Sequence, residues 1–171
     1  MHKNPETVLA LDPGLRELGY AVLSRKQLVT SGVLSLSALH PRRRLGAIRD
    51  TLEAWFRAYR PRVLVLEQIP KRPLDSLAGL PALRRLLHGF ARRRRLPVAT
   101  YSVKAVRRTV LGDGWGSKRE VAKAISGRFP ELRVHRNQSR KWAERYWQNM
   151  FDAIALGLHH LAVTKPPSRS R

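Results

Sequence analysis

Three carboxylates stand in apolar surroundings in a chain that has few acids. Asp12 ends the run Val8-Leu9-Ala10-Leu11, Glu67 ends Val63-Leu64-Val65-Leu66, and Asp152 sits within Met150-Phe151-Asp152-Ala153-Ile154-Ala155-Leu156. Burying an ionised carboxylate costs on the order of several kcal/mol unless it is paired or holds a metal. Asp12 precedes Pro13-Gly14, so turn formation is one reading of it. A metal ligand at the end of a strand is the other. The repeat of the pattern at Glu67 and the third acid far along the chain suggest that all three converge on one site, where an all-oxygen donor set suits a hard cation.

The partner follows from charge. The 171 residues hold 34 Lys and Arg against 12 Asp and Glu, a formal net charge of +22. That excess is beyond what solubility needs and points to a polyanion, by default nucleic acid. Arginine makes up 26 of the 34 basic residues, which suits phosphate forks and base stacking. The absence of cysteine excludes disulfides and thiolate metal sites and fits a reducing compartment. No stretch approaches the roughly 20 apolar residues of a membrane span, and no signal-peptide pattern opens the chain. The expected location is the cytoplasm, at the nucleoid of a bacterial cell or in the host cytoplasm for a viral protein, with no membrane partner.

The elements that must position the acids follow from periodicity. Residues 8–12, 19–25 and 27–36 read as three strands in an antiparallel meander. Pro41 opens a helix with Leu45, Ile48, Leu52, Trp55, Phe56 and Tyr59 at helical spacing, ended by Pro61. Residues 62–69 form a fourth strand. A second helical region lies between Pro70 and Pro97, with Leu80, Leu83, Leu87 and Phe90 on one face, and 97–102 form a short fifth strand. A loop with Gly112, Gly114 and Gly116 leads to the capping box Ser117-Lys118-Arg119-Glu120, which opens a third helix ended by Pro130. Residues 131–141 read as a polar loop and 142–163 as a long helix. The expectation is one domain over 1–163 and a basic, disordered tail over 164–171.

This order, with acids on the first and fourth strands and on the last helix, resembles the ribonuclease H-like fold: an α/β arrangement with a five-stranded mixed sheet, its first three strands antiparallel, and helices on both faces. Within it the chain resembles the RuvC family of Holliday-junction resolvases. The resemblance rests on Leu11-Asp12-Pro13-Gly14 with Gly19-Tyr20, on Glu67-Gln68, on Val106 to Gly114 with Lys118 and Val121, and on Asp152-Ala153-Ile154-Ala155. It implies metal ligation by Asp12, Glu67 and Asp152. The family's fourth metal-site position, one helical turn before the last acid, falls on Asn149, where Asp or His is usual. Lys118 and Arg107 match its important basic residues. The implied chemistry is phosphodiester hydrolysis with two Mg²⁺ ions about 4 Å apart, one side activating water and the other stabilising the leaving oxygen, with Mn²⁺ able to substitute. Asn149 brings a carbonyl ligand without charge.

Further candidates surround this set. Lys118 stands at a helix N-terminus, which already favours anions, so a phosphate contact competes with a solvated lysine. Trp115, between glycines, suits stacking on a base, and packing on its own helix is the alternative. Arg107, Arg108, Lys71, Arg72 and the run Arg92, Arg93, Arg94 and Arg95 are candidate DNA contacts. So is the run Arg42 to Arg44. In the family the residue two after Glu-Gln is often aromatic and lies near DNA. Here it is Pro70, so no cleavage-sequence preference carries over. His159 falls on the Asp152 side of the last helix, where a structural role is the ordinary reading. The two-fold symmetry of a four-way junction implies a homodimer, with the Leu80 to Phe90 face as a candidate interface and core packing as its rival. The family's cellular members work beside a branch-migration helicase. Two rival functions remain: a junction-binding protein with weakened catalysis, and a related nuclease acting on RNA-containing or flapped substrates.

Overall fold

The computed structural model describes residues 7–25, 27–68, 79–136 and 141–164. Among them five strands form one sheet in the order β3-β2-β1-β4-β5: β1 (Thr7–Asp12), β2 (Glu17–Ser24), β3 (Gln27–Ser35), β4 (Val63–Glu67) and β5 (Val98–Tyr101). The first three pair antiparallel, as short connections require, while β1 with β4 and β4 with β5 pair parallel. This is the mixed sheet expected of a ribonuclease H-like fold. Helices α1 (Pro41–Tyr59) and α2 (Leu80–Arg93) supply the crossovers. They are followed by α3 (Val103–Leu111), α4 (Lys118–Arg128), a 3-10 turn at Pro130–Leu132, α5 (Arg133–Arg136) and α6 (Lys141–Val163).

Strand alternation divides the core into two layers. Leu9, Leu11, Leu18, Val22, Leu64 and Leu66 pack with Ile48 and Leu52 of α1 and with Leu83, Leu87 and Phe90 of α2. Val8, Ala10, Ala21, Leu23, Val63 and Val65 pack on the other face with α3, α4 and α6. The apolar side of α2 is therefore consumed by its own core: Leu83 and Phe90 are fully covered and Leu87 nearly so. The expectation that this face offers a dimer interface is resolved in favour of core packing.

The second layer is thin where β2 meets α6. A Cβ placed on Gly19 would lie 2.0 Å from the carbonyl oxygen of Asn149, so only glycine lets the helix come this close. Gly19 is paired with Asp12 in the ladder. The close approach thus lowers the N-terminal half of α6, and Asp152 with it, onto the end of β1. Gly19→Ala should cost about 1–3 kcal/mol through forced backbone displacement. Because a chain of this size loses about 2–4 °C per kcal/mol, thermal unfolding would show a fall of several degrees.

Three local expectations are corrected. The segment 103–111 forms a helix that periodicity did not reveal: nine residues long, with one buried side chain, Val106. Its boundaries were nonetheless written in Ser102, whose hydroxyl accepts from the Ala105 N–H, and in Gly112, which takes the left-handed φ of 87° at the C-cap. The stretch 131–141 contains the 3-10 turn and α5 rather than only loop. β2 begins at Glu17, two residues before the expected start. Lys71, Arg72 and the tail from 165 lie outside the described residues.

Candidate active site

Parity and register bring the acids together. Asp12 continues the alternation of Val8 and Ala10, and Glu67 that of Val63 and Val65, so both side chains emerge on the face that α6 covers. Leu11 pairs with Leu66 across parallel β1 and β4, and each carboxylate follows one residue later. Asp12 and Glu67 are therefore neighbours at the C-terminal end of the parallel strands. Asp152 reaches them from above on α6. Lys118, the first residue of α4, donates from Nζ to Asp152 Oδ2 at 3.0 Å.

The site is short of positive charge. Burial, reinforced by the charges of Glu67 and Asp152, pushes the Asp12 carboxyl up to about 8, against the opposing pull of Lys118. Burial and then Asp152 also raise Glu67, while Lys118 and Arg107 work to lower it. Burial disfavours the Lys118 ammonium, but the charge and hydrogen bond of Asp152, with Asp12 and Glu67 behind it, hold its pKa above the usual lysine value. Among the described residues, no three acidic or histidine side chains yet stand at metal-ligating spacing. What the structure does assemble is a cluster of hard oxygen donors whose mutual repulsion a cation would relieve, so the donor set fits a divalent ion.

Comparison with known proteins identifies the family. The family model described as "Crossover junction endodeoxyribonuclease RuvC" matches residues 8–139. The chain belongs to the RuvC family. A RuvC from Frankia alni is 29% identical over 161 residues, covering 90% of this chain and 77% of its own length. One from Anaeromyxobacter dehalogenans is 30% identical, covering 91% and 80% respectively. Thermus thermophilus RuvC in complex with a Holliday junction substrate superposes with a TM-score of 0.70 at 23% identity, covering 91% of this chain and 92% of that one. The fowlpox virus resolvase, solved with its substrate junction DNA, has a TM-score of 0.59 at 14% identity, covering 93% and 99%. These likenesses establish the ribonuclease H-like fold of this RuvC-family chain.

The remaining expected residues are distributed unevenly around the carboxylates of this RuvC-family chain. Asn149 donates from Nδ2 to Glu17 Oε2 at 3.5 Å, the outer limit of a hydrogen bond. A carboxylate only accepts, so it is the amide nitrogen that faces Glu17, leaving the Asn149 carbonyl oxygen for another partner. Gln148 donates to Asp152 Oδ1 at 3.0 Å. With Lys118 on Oδ2, both Asp152 oxygens are held. Gln148 and Glu17 were not foreseen. The signal for Gln148 was its position four residues before Asp152 on one helix face, whereas Glu17 becomes visible only through tertiary packing. Arg107 lies close enough to act on Glu67, and Arg108 on the same helix is exposed.

The arginine run at the C-terminal end of α2 lies elsewhere. Residues 92–95 precede β5, whose first residue Val98 pairs with Leu64, while Glu67 pairs with Tyr101 at its far end. Arg92 to Arg95 are thus at the opposite end of the sheet from the carboxylates. Arg94 is engaged, hydrogen-bonding Glu53 of α1 and standing 5.1 Å over the Phe56 ring. Arg42 to Arg44, at the start of α1, lie at the carboxylate end, since Leu36 just before that helix bonds the carbonyl of Arg16. His159 is structural. Its Nδ1 shares a 2.7 Å hydrogen bond with Thr109 of α3, and its neighbour His160 shares one of 2.9 Å with the Tyr101 hydroxyl of β5. The pair ties α6 to two elements in the covered layer.

Proposed function

We propose that this chain is a metal-dependent endonuclease that resolves four-way DNA junctions by paired, symmetric nicks, acting as a homodimer in the cytoplasm. One observation carries the reading: Asp12, Glu67 and Asp152, from three separate elements, meet at one end of the sheet beside Lys118 in a chain of net charge +22. The names of its relatives support the substrate class, as does the junction bound by a protein of the same fold.

Asp12, Glu67 and Asp152, with the neutral carbonyl of Asn149, would hold two divalent ions, Mg²⁺ or Mn²⁺. Bound there, such ions supply Lewis-acid charge that favours an attacking water and stabilises the departing oxygen. The chain's own residues do the rest. Gln148 and Lys118 fix the Asp152 carboxylate from both sides. The Lys118 side chain, 59% exposed, can also offer its ammonium to a phosphate oxygen of the strand to be cut. Arg107 and Arg108 extend the positive surface along α3. In the proposed dimer, each subunit cuts one of two opposing strands.

Asn149→Asp tests the fourth position. Restoring a charged ligand beside Glu17 should tighten Mn²⁺ binding about tenfold, equivalent to about 1.4 kcal/mol. It should also lower the unfolding temperature in chelator by adding a like charge. Calorimetric titration and thermal melts measure the two effects separately.

The function itself is tested with a labelled mobile four-way junction in Mg²⁺ and then Mn²⁺, beside matched linear duplex, with Asp152→Asn as control. Paired nicks in opposing strands of the junction, lost in the control, are the expected result. Tight binding without nicks in either metal would instead favour a junction-binding protein, the reading that the uncharged Asn149 motivates. Preference for RNA-containing duplex would favour a different nuclease of this fold. Light scattering of the protein alone checks the dimer.

A further inference from the structure

Three residues before Lys118 stands an aromatic ring that the hydrolytic site does not use. Trp115 is 81% exposed, although its surroundings hold it firmly. Asp113 Oδ1 accepts from the backbone N–H of Trp115 at 2.9 Å and from that of Gly116 at 3.2 Å. Gly114 behind it is buried, and a Cβ there would lie 2.8 Å from Lys104 Cγ, so the turn is pressed against the first turn of α3. From that helix the Lys104 ammonium stands 4.4 Å from the Trp115 ring centroid. One face of the indole is thus backed by a cation, and the ring is offered to solvent by a turn with its amides satisfied.

Exposing a tryptophan in this way forgoes the burial of a large apolar surface, and the ring's surroundings narrow what would cover it. Lys104 stands on the ring, and the stretch 104–120 carries Lys104, Arg107, Arg108, Lys118 and Arg119 against Asp113 and Glu120, whose carboxylates are taken up by the turn's amides and by Ser117, so an anionic ligand is favoured over a cationic one. A flat aromatic group that carries negative charge is attracted, and a nucleotide is both. Sequence distance sets the scale: Trp115 and Lys118 are three residues apart, at most about 11 Å of chain. Stacked bases of one strand are spaced about 3.4 Å apart.

We propose that Trp115 and Lys104 form a single-nucleotide platform, the indole stacking on a base laid open at the branch point and the ammonium taking a phosphate of the same strand, within about three nucleotides of the bond that is cut. The platform distinguishes an open branch from continuous duplex, because bases inside a duplex have no free face to offer. It rests on the junction-resolving reading for the identity of the DNA.

The test uses the full chain in chelator, so that binding is measured without cleavage, and a four-way junction with 2-aminopurine placed in turn at the three nucleotides on each side of the crossover. The native protein should quench one of these positions. Trp115→Ala should lose the quench and bind the junction about tenfold more weakly, the effect of one base-aromatic stack, with linear-duplex affinity and unfolding temperature unchanged. Trp115→Phe should keep most of the quench. Lys104→Gln should lower the slope of log affinity against log salt by about 0.9 on base-paired DNA, one phosphate contact. An unchanged quench and affinity in Trp115→Ala, or an equal loss on junction and duplex, overturns the platform. Should the native protein not prefer junction to duplex, the resolvase reading fails. The platform is then decided on single-stranded DNA carrying the same probe, where a quench lost in Trp115→Ala upholds it and a retained quench overturns it.

Discussion

Asp12→Asn is expected to abolish junction cleavage, by about 10³-fold or more, which corresponds to losing several kcal/mol of charge stabilisation in the transition state. Junction binding should hardly change, since the exposed basic side chains remain. A second readout separates this loss from simple damage. In the folded, metal-free protein the Asp12 carboxyl keeps its proton up to about pH 8, whereas its ordinary value is 3.8. Between these values the folded state holds a proton that the unfolded state has released. Stability is therefore greatest below about pH 4 as far as this group is concerned, and is lost as pH rises through 8. The asparagine variant has no such slope. In chelator at pH 8 it should melt above the native protein, each kcal/mol being worth about 2–4 °C, and added Mg²⁺ should raise the melting temperature of the native protein alone. A variant that melts lower than the native chain at pH 8 in chelator would contradict this account of Asp12.

Lys118→Gln should lower cleavage by about 10²-fold, the scale found when one positioned donor to a developing charge is removed. Its effect on stability should be small. The pair with Asp152 is 3.0 Å long, but the lysine side chain is 59% exposed, and solvent-screened pairs contribute about 0–1 kcal/mol. Lys118→Arg should recover only part of the activity, because the wider guanidinium fork does not reproduce a compact ammonium. Single-turnover rates set against binding constants measured in chelator separate the two effects. If affinity fell while the single-turnover rate stayed at the native level, Lys118 would be a binding residue only.

Most of what places the acids was legible. An apolar run that ends in Asp or Glu declares a strand, its buried face and the face on which the acid emerges, as Val63 to Glu67 does. The capping box at Ser117 and Glu120 marked the start of α4, and both of its hydrogen bonds are present. What stayed hidden depends on direction in space. Arg92 to Arg95 are conspicuous by composition, yet composition does not tell one end of a sheet from the other. The α3 helix escaped because a nine-residue segment with a single buried side chain carries too little periodicity to compete with its basic content. Glu17 could not be linked to Asn149 from sequence, since β2 and α6 meet only in the folded chain.

If Asp152 completes the cleaving site as proposed, the reach of α6 across the end of the sheet also sets when the nuclease becomes dangerous. During synthesis, the residues through α4 already carry Asp12, Glu67 and most of the basic side chains, and can cling to DNA, but the third acid has not been made. Cleavage has to wait until α6 has emerged and settled over Gly19, a contact between distant parts of the chain that forms late. On that assignment a nascent or partly opened molecule is unarmed, and phosphodiester cutting is restricted to chains that have finished folding.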